Sequence, residues 1–334
     1  MSWFWFALLT MLAWGAADLF YKKGADESDK YSHLKTVVAV GVVMGLHAII
    51  TLLTSDVEYN FVNLLKYLPV SMMYILSMAV GYFGLRYLEL SISSPIQNAS
   101  GAVACLLCVI FLGDVLEFPV IIAILLICGA VFGLGIVEKR ESDLMEENGD
   151  KKYKIGFVAF FMPVIYCVID ALGTFLDAFY LDEPANTPLV GATEDNIETI
   201  ANVSYELTFL ICAVIAFVFM IVMLATNDKA KECANGATSK SGRFFASIGS
   251  AFKQYFVKLK PSRLIAAAFE TAGQFTYVYA MSGQGAIAAP MIAAYSIVSM
   301  ILSRIFLKEK LTWLKYLLIG VVMVGIAILG VYDA

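Results

Sequence analysis

The chain has 334 residues, of which 60% are hydrophobic and only 15% charged, and its mean hydropathy is +0.79. A soluble protein of this size cannot hide that much apolar surface, which excludes an ordinary soluble enzyme or nucleic-acid-binding protein and makes lipid the natural solvent. The net charge of −5 says little, because membrane topology follows where Lys and Arg sit rather than their total.

Spanning segments need about 20 mostly apolar residues each. Ten stretches qualify in chain order: 2–21, 34–54, 65–87, 92–112, 118–137, 155–179, 199–225, 264–282, 286–307 and 313–332. The first reads as a retained helix rather than a signal peptide, since no small-residue cleavage site follows it. Spanning backbone must satisfy its own hydrogen bonds, so the expected fold is all-α. Two linkers stand out. Glu138–Lys154 is charged and divides the chain into 1–150 and 151–334. Asn227–Arg263 is long and basic. Within it Phe245, Ile248, Phe252, Phe256 and Leu259 recur at helical spacing among Lys253, Lys258 and Lys260, the pattern of a helix on an anionic membrane surface or, on the plainer reading, a disordered loop.

One stretch occurs twice. Pro95–Leu116 and Pro290–Leu311 align without a gap at a constant offset, 290 − 95 = 195, and eight of 22 positions are identical. Asp114 falls opposite Glu309, and both copies end in Phe-Leu-x-acid-x-Leu. Shared apolar composition explains stray Leu and Ile matches. It does not explain Pro, Phe-Leu and an acid holding one register, so the pattern predicts duplication, with Pro95 and Pro290 opening equivalent helices.

Loop charge predicts orientation. The loops after spans one, three, five, seven and nine, with their adjoining helix ends, hold 22 of the 23 Lys and Arg; Lys66 is the exception. Those loops are expected in the cytoplasm, with both termini outside. Five spans per half then force the halves to point in opposite directions.

These segments resemble the drug/metabolite transporter superfamily, in its EamA-like ten-helix type. The residues that carry the resemblance are Trp14-Gly15 followed by Lys22-Lys23, and the two segments from Pro95 to Asp114-Val115-Leu116 and from Pro290 to Glu309-Lys310-Leu311. Asp114 stands where the family pattern usually has Glu. The resemblance implies an all-α integral membrane protein of ten transmembrane helices in two inverted five-helix repeats. Relatives carry amino acids, drugs, sugars and nucleotide sugars.

Ionisable side chains inside spans are expensive and mark aqueous cavities or proton paths. Asp18 has Trp14 a turn before it and Lys22 a turn after it, so it reads either as a proton or cation site or as an i, i+4 ion pair. Asp170 shares a helical face with Tyr166, Thr174 and Asp177, and a cavity-lining role is expected for it; Asp177, nearer the end, is expected to be solvated. Glu270 shares a face with Gln274 and Tyr277 and has no basic residue within a turn. An ionised, unpaired carboxylate there is costly, which suits proton carriage. Glu206 is expected to be structural or entrance-lining. Gln97, Asn98 and Tyr295, from the two repeated helices, and the aromatics Trp14, Tyr74, Tyr82 and Tyr277 are candidates for substrate contact; interhelical hydrogen bonding and packing are the plain alternatives.

The sequence offers no phosphate-binding glycine loop, clustered metal set or nucleophile–base pair, so no cofactor, metal or catalytic residue is assigned. Cys105 and Cys108 read as packing residues. The expectation is a multi-pass protein of the cell (inner) membrane, monomeric or homodimeric, with the lipid bilayer and a small-molecule substrate as partners and no nucleic acid. Its expected work is secondary transport of a small organic metabolite by alternating access, with protons as the coupling ion. The rivals are a divalent-cation (Mg²⁺) path through Asp18, Asp170 and Glu270, and a membrane-embedded lipid-modifying enzyme.

Overall fold

The computed structural model describes all residues except 1, 27, 86–96, 98, 148–156, 183–185, 228–239, 258, 283, 309–310 and 334. The described residues are helical, with no strands. In chain order the helices are α1 (Trp3–Gly24), α2 (Ser32–Thr54), α3 (Val62–Lys66), α4 (Leu68–Gly84), α5 (Ser100–Leu107), α6 (Phe118–Glu147), α7 (Phe157–Leu181), α8 (Ile197–Ala225), α9 (Lys240–Val257), α10 (Pro261–Met281), α11 (Gly285–Ala293), α12 (Tyr295–Leu302) and α13 (Trp313–Asp333). Among the described residues seven segments are long and apolar enough to cross a membrane, with α11, α12 and the turn beyond counted as one. α4 and the 100–112 segment are apolar but shorter. α10 is long but carries Arg263, Glu270 and Gln274 on a buried face. This is a multi-pass integral membrane protein.

Several boundaries differ from expectation for local reasons. The third span is split: α3 ends at Lys66, and Pro69 sits in the first turn of α4, where a missing N–H costs nothing. α6 runs ten residues past its expected end, because 138–147 contains neither Gly nor Pro to stop it. The ninth span is broken. Pro290 lies inside α11 rather than at a helix start, and the chain kinks at Ala294 before α12 begins. There Ala294 N–H reaches Met291 O and Ile297 N–H reaches Ala294 O, a tightened turn that accommodates the break. Pro95 and Glu309 lie outside the described residues.

The two copies of the repeated stretch share backbone features at the same offset. α5 and α12 are both eight-residue helices, and each runs into a five-residue π-helical turn, Cys108–Leu112 and Ser303–Leu307. Each turn ends on a left-handed residue, Gly113 at φ 78° and Lys308 at φ 59°. That conformation is free for glycine and uncommon for lysine.

Packing follows the same exchange. α1 packs along α10 and α4 along α7; α1 meets α12 and α5 meets α7. α2 pairs with α8, α5 with α11 and α6 with α13. Small residues bring these helices close. A Cβ on Gly15 would lie 2.4 Å from the Val298 Cβ, one on Gly41 2.6 Å from the Phe209 carbonyl oxygen, and one on Gly101 2.7 Å from the Ala289 carbonyl oxygen. Lipid gives apolar helices no solvent drive to associate, so close van der Waals approach of this kind holds the bundle.

The basic linker forms the amphipathic helix α9, so the disordered-loop reading falls for its described part. Tyr255 packs against Val38 of α2 and Phe217 and Met220 of α8, and Phe252 meets Phe217 edge-on, while Phe245 and Phe256 are exposed.

Candidate functional site

A cavity of about 70 Å³ lies at the centre of the bundle, several times the ~10–15 Å³ one water needs by such a measure. It is lined from α1, α4, α5, α7, α8, α10, α11 and α12, so both halves of the chain contribute. Of eleven candidates named from the sequence, ten line it: Trp14, Asp18, Tyr74, Tyr82, Gln97, Asp170, Glu270, Gln274, Tyr277 and Tyr295. The eleventh, Asn98, lies outside the described residues.

Each carboxyl is held by hydroxyl donors from a neighbouring helix. Ser299 on α12 donates to Asp18 on α1 (2.7 Å). Ser100 on α5 donates to Asp170 on α7 (2.7 Å), and Ser77 on α4 adds a second donor at 3.3 Å. Tyr21 donates to Glu270 Oε2 (3.1 Å) and itself accepts from Tyr82 (3.0 Å). Trp14-x-x-x-Asp18 on α1 and Tyr166-x-x-x-Asp170 on α7 have the same spacing, and each aspartate takes a serine from the repeated helix of the other half. The two serines are not at matching positions: Ser299 corresponds to Ala104, one turn beyond Ser100.

Aromatic rings form the walls. Trp14 stacks on Tyr277 (centroids 5.1 Å apart) and meets Tyr295 edge-on (5.8 Å). Tyr74 meets Tyr277 and Tyr205 edge-on. Trp14 is held against α10 because Gly273 leaves its ring room: an added Cβ would sit 2.3 Å from Trp14 Cδ1. The buried Gln97 amide nitrogen has no hydrogen-bond partner among the described residues.

One end of the cavity is capped. Tyr74 hydrogen-bonds Tyr277 and Thr174, and Tyr67 donates to Asp177. Beyond them Asn63 and Lys66 of α3 clasp the 186–196 loop, through Asn63 to Val190 and Lys66 to the Pro188 carbonyl (2.7 Å). Asp177 is therefore fully buried, contrary to expectation. Its place in the sequence put it near a helix end, but the loop folds back over that end and removes the water. At the other end Lys22 donates to the Leu85 carbonyl (3.1 Å).

Other expected residues lie elsewhere. Glu206 is buried and bonds His47 Nδ1 at 2.8 Å, outside the cavity lining. Asp114 is half-buried in the loop after α5, where burial and the facing Asp182 push its carboxyl above the usual range. Cys105 and Cys108 are buried and free. Among the described residues no three His, Cys, Asp or Glu side chains are grouped to hold a metal ion.

Sequence reasoning missed Tyr21 and Tyr205 in the lining. Tyr21 was within reach: Trp14, Asp18 and Tyr21 fall at i, i+4 and i+7 on one helical face. Tyr205 carried no such signal, because its neighbour Glu206 drew the attention and points to His47.

A long apolar helical bundle with a polar, two-sided cavity invites comparison with known membrane proteins. Residues 1–136 match the model of the EamA-like transporter family. The match is in keeping with the drug/metabolite transporter resemblance read from Trp14-Gly15, Lys22-Lys23 and the first repeated segment. A solved structure described only as a crystal structure of a protein is similar over 98% of this chain and 96% of its own, with 11% identity and a TM-score of 0.58. At that identity the likeness shows the fold alone. No curated protein matches the sequence. The EamA-like family is one of membrane transporters of small molecules.

Proposed function

We propose that this protein is a secondary transporter that carries a small organic metabolite through the central cavity by alternating access. The observation that carries the reading is the joint cavity: three carboxyls from α1, α7 and α10 face one aqueous-sized space walled by helices of both halves. Buried carboxyls inside a bilayer are maintained at a cost and belong to pathways.

The two halves, 1–150 and 151–334, act as inverted five-helix repeats that rock about this site. Support comes from the shared backbone of the 100–113 and 295–308 stretches and from helix contacts that map onto themselves when the halves are exchanged. The inversion rests on the 22 Lys and Arg gathered on one set of loops. On this reading all ten apolar stretches cross the membrane, α10 keeping its polar face inward. Glu270 is the proton carrier, and Asp18 and Asp170 hold the solute or share the proton.

The test is counterflow. A thermal-shift screen of amino acids, sugars and amines on purified protein selects a solute, since a ligand that binds only the folded state raises its melting temperature. Proteoliposomes loaded with that solute should take up its labelled form faster than empty ones. Equal uptake in loaded, empty and protein-free vesicles, for every solute that shifts melting, would end the transporter reading.

A further inference from the structure

We infer that the cavity selects organic ammonium ions over neutral and anionic solutes. This deepens the transporter reading and rests on it for the site's role in transport. The observation is the composition of the lining. Among the described residues it holds three carboxyls, Asp18, Asp170 and Glu270, and no Lys, Arg or His. Lys22, one turn beyond Asp18, turns its ammonium to the Leu85 carbonyl; counted in full, it still leaves the acids in excess. A space among buried helices with that balance repels anions, and it stabilises a cation far more than water-exposed carboxylates do, because low dielectric strengthens each charge interaction.

Inorganic cations satisfy the charge but not the walls. A metal ion wants a shell of oxygens at close range, and the described residues offer no grouped set of ligands. The walls are instead one indole and seven phenol rings, Trp14 with Tyr21, Tyr74, Tyr82, Tyr166, Tyr205, Tyr277 and Tyr295. Several are fixed by ring contacts or by hydroxyl bonds: Trp14 on Tyr277 and Tyr295, Tyr21 to Glu270, Tyr74 to Thr174. Fixed aromatic rings around acids are the arrangement that recognises alkylammonium groups, whose spread positive charge is attracted to ring faces and whose methyl or methylene surface packs on them. Met78, Ile292 and Ala293 add apolar wall for a short alkyl chain.

The experiment uses the purified full-length protein at constant ionic strength. Four probes are compared by their shift in unfolding temperature: n-butylammonium, tetramethylammonium, 1-butanol and butyrate. The two ammonium ions should stabilise the protein, the alcohol weakly or not at all, and butyrate not at all. Asp18→Asn with Asp170→Asn should weaken ammonium binding by on the order of tenfold or more, in line with loss of a desolvated charge contact. If that double variant fails to fold, the wild-type probe ranking alone decides. Stabilisation by 1-butanol or butyrate equal to that by the cations, or by neither cation, would overturn the proposal. Counterflow separates it from the transporter reading. Exchange of neutral solutes with no ammonium binding defeats the cation preference alone. Ammonium binding with no solute carried defeats transport alone.

Discussion

Tyr21 donates a 3.1 Å hydrogen bond to Oε2 of Glu270, tying α1 to α10 across 249 residues of chain. The same hydroxyl accepts from Tyr82, so one phenol links three helices around the cavity. Tyr21→Phe removes the donor and leaves both Glu270 and Tyr82 short of a buried partner. The expected cost is about 1–3 kcal/mol of stability, read as a lower melting temperature in detergent. A wild-type melting curve would mean that water replaces the phenol and that the linkage is not structural.

Asp18 and Asp170 are each held by a serine at 2.7 Å, from α12 and α5 respectively. Asn at either position keeps an oxygen for its serine while removing the charge. Asp18→Asn and Asp170→Asn should therefore fold normally and slow counterflow by on the order of tenfold, the worth of about 1.4 kcal/mol. Ser100→Ala and Ser299→Ala keep the charge and should slow it less. Serine variants as damaging as the aspartate variants would shift the role from charge to packing.

Gly273 is the seat of the Trp14 ring. Gly273→Ala puts a Cβ 2.3 Å from Trp14 Cδ1, and the indole must leave its stack on Tyr277. Overpacking of this kind costs about 1–3 kcal/mol and should weaken ligand binding as the wall moves. Gly249 on α9, with nothing within 4 Å of an added Cβ, is the matched control. Gly249→Ala should be neutral or stabilising by up to about 1 kcal/mol. Equal melting temperatures for the two variants would contradict the packing argument.

Thr193 is exposed in the loop before α8, and Arg243 is exposed on α9 after it. In a background without native cysteines, Thr193→Cys should react with an impermeant thiol reagent on intact cells and Arg243→Cys should not, because the α9 side carries the basic loops. The reverse pattern would turn the molecule over in the membrane while leaving the relation between its halves.

The sequence made the helices legible because lipid imposes length and apolarity on every crossing segment. It made the cavity acids legible for the complementary reason: Asp18, Asp170 and Glu270 are too costly in a span to be incidental. Their helical neighbours Trp14, Gln274 and Tyr277 followed from periodicity alone. What could not be read depends on contacts distant in sequence. Asp177 looked solvated until the 186–196 loop closed over it. Glu206 and His47 meet across 159 residues. The break at Ala294 comes after Pro290 rather than at it, since a membrane helix surrounded by neighbours tolerates a proline and relaxes a turn later. Tyr205 has no polar pattern of its own and becomes a wall residue only through the packing of α8 on α4.

The claim that the cavity couples a solute to protons is tested most directly at Glu270. Glu270→Gln mimics the protonated acid and keeps an acceptor for Tyr21, but it has no proton to release. The measurement is accumulation of the screened solute in proteoliposomes under an imposed proton gradient, beside solute-for-solute exchange in the same vesicles. The account predicts that Glu270→Gln loses gradient-driven accumulation and its pH dependence while exchange continues. Wild-type accumulation by Glu270→Gln would contradict it and reduce Glu270 to a structural partner of Tyr21.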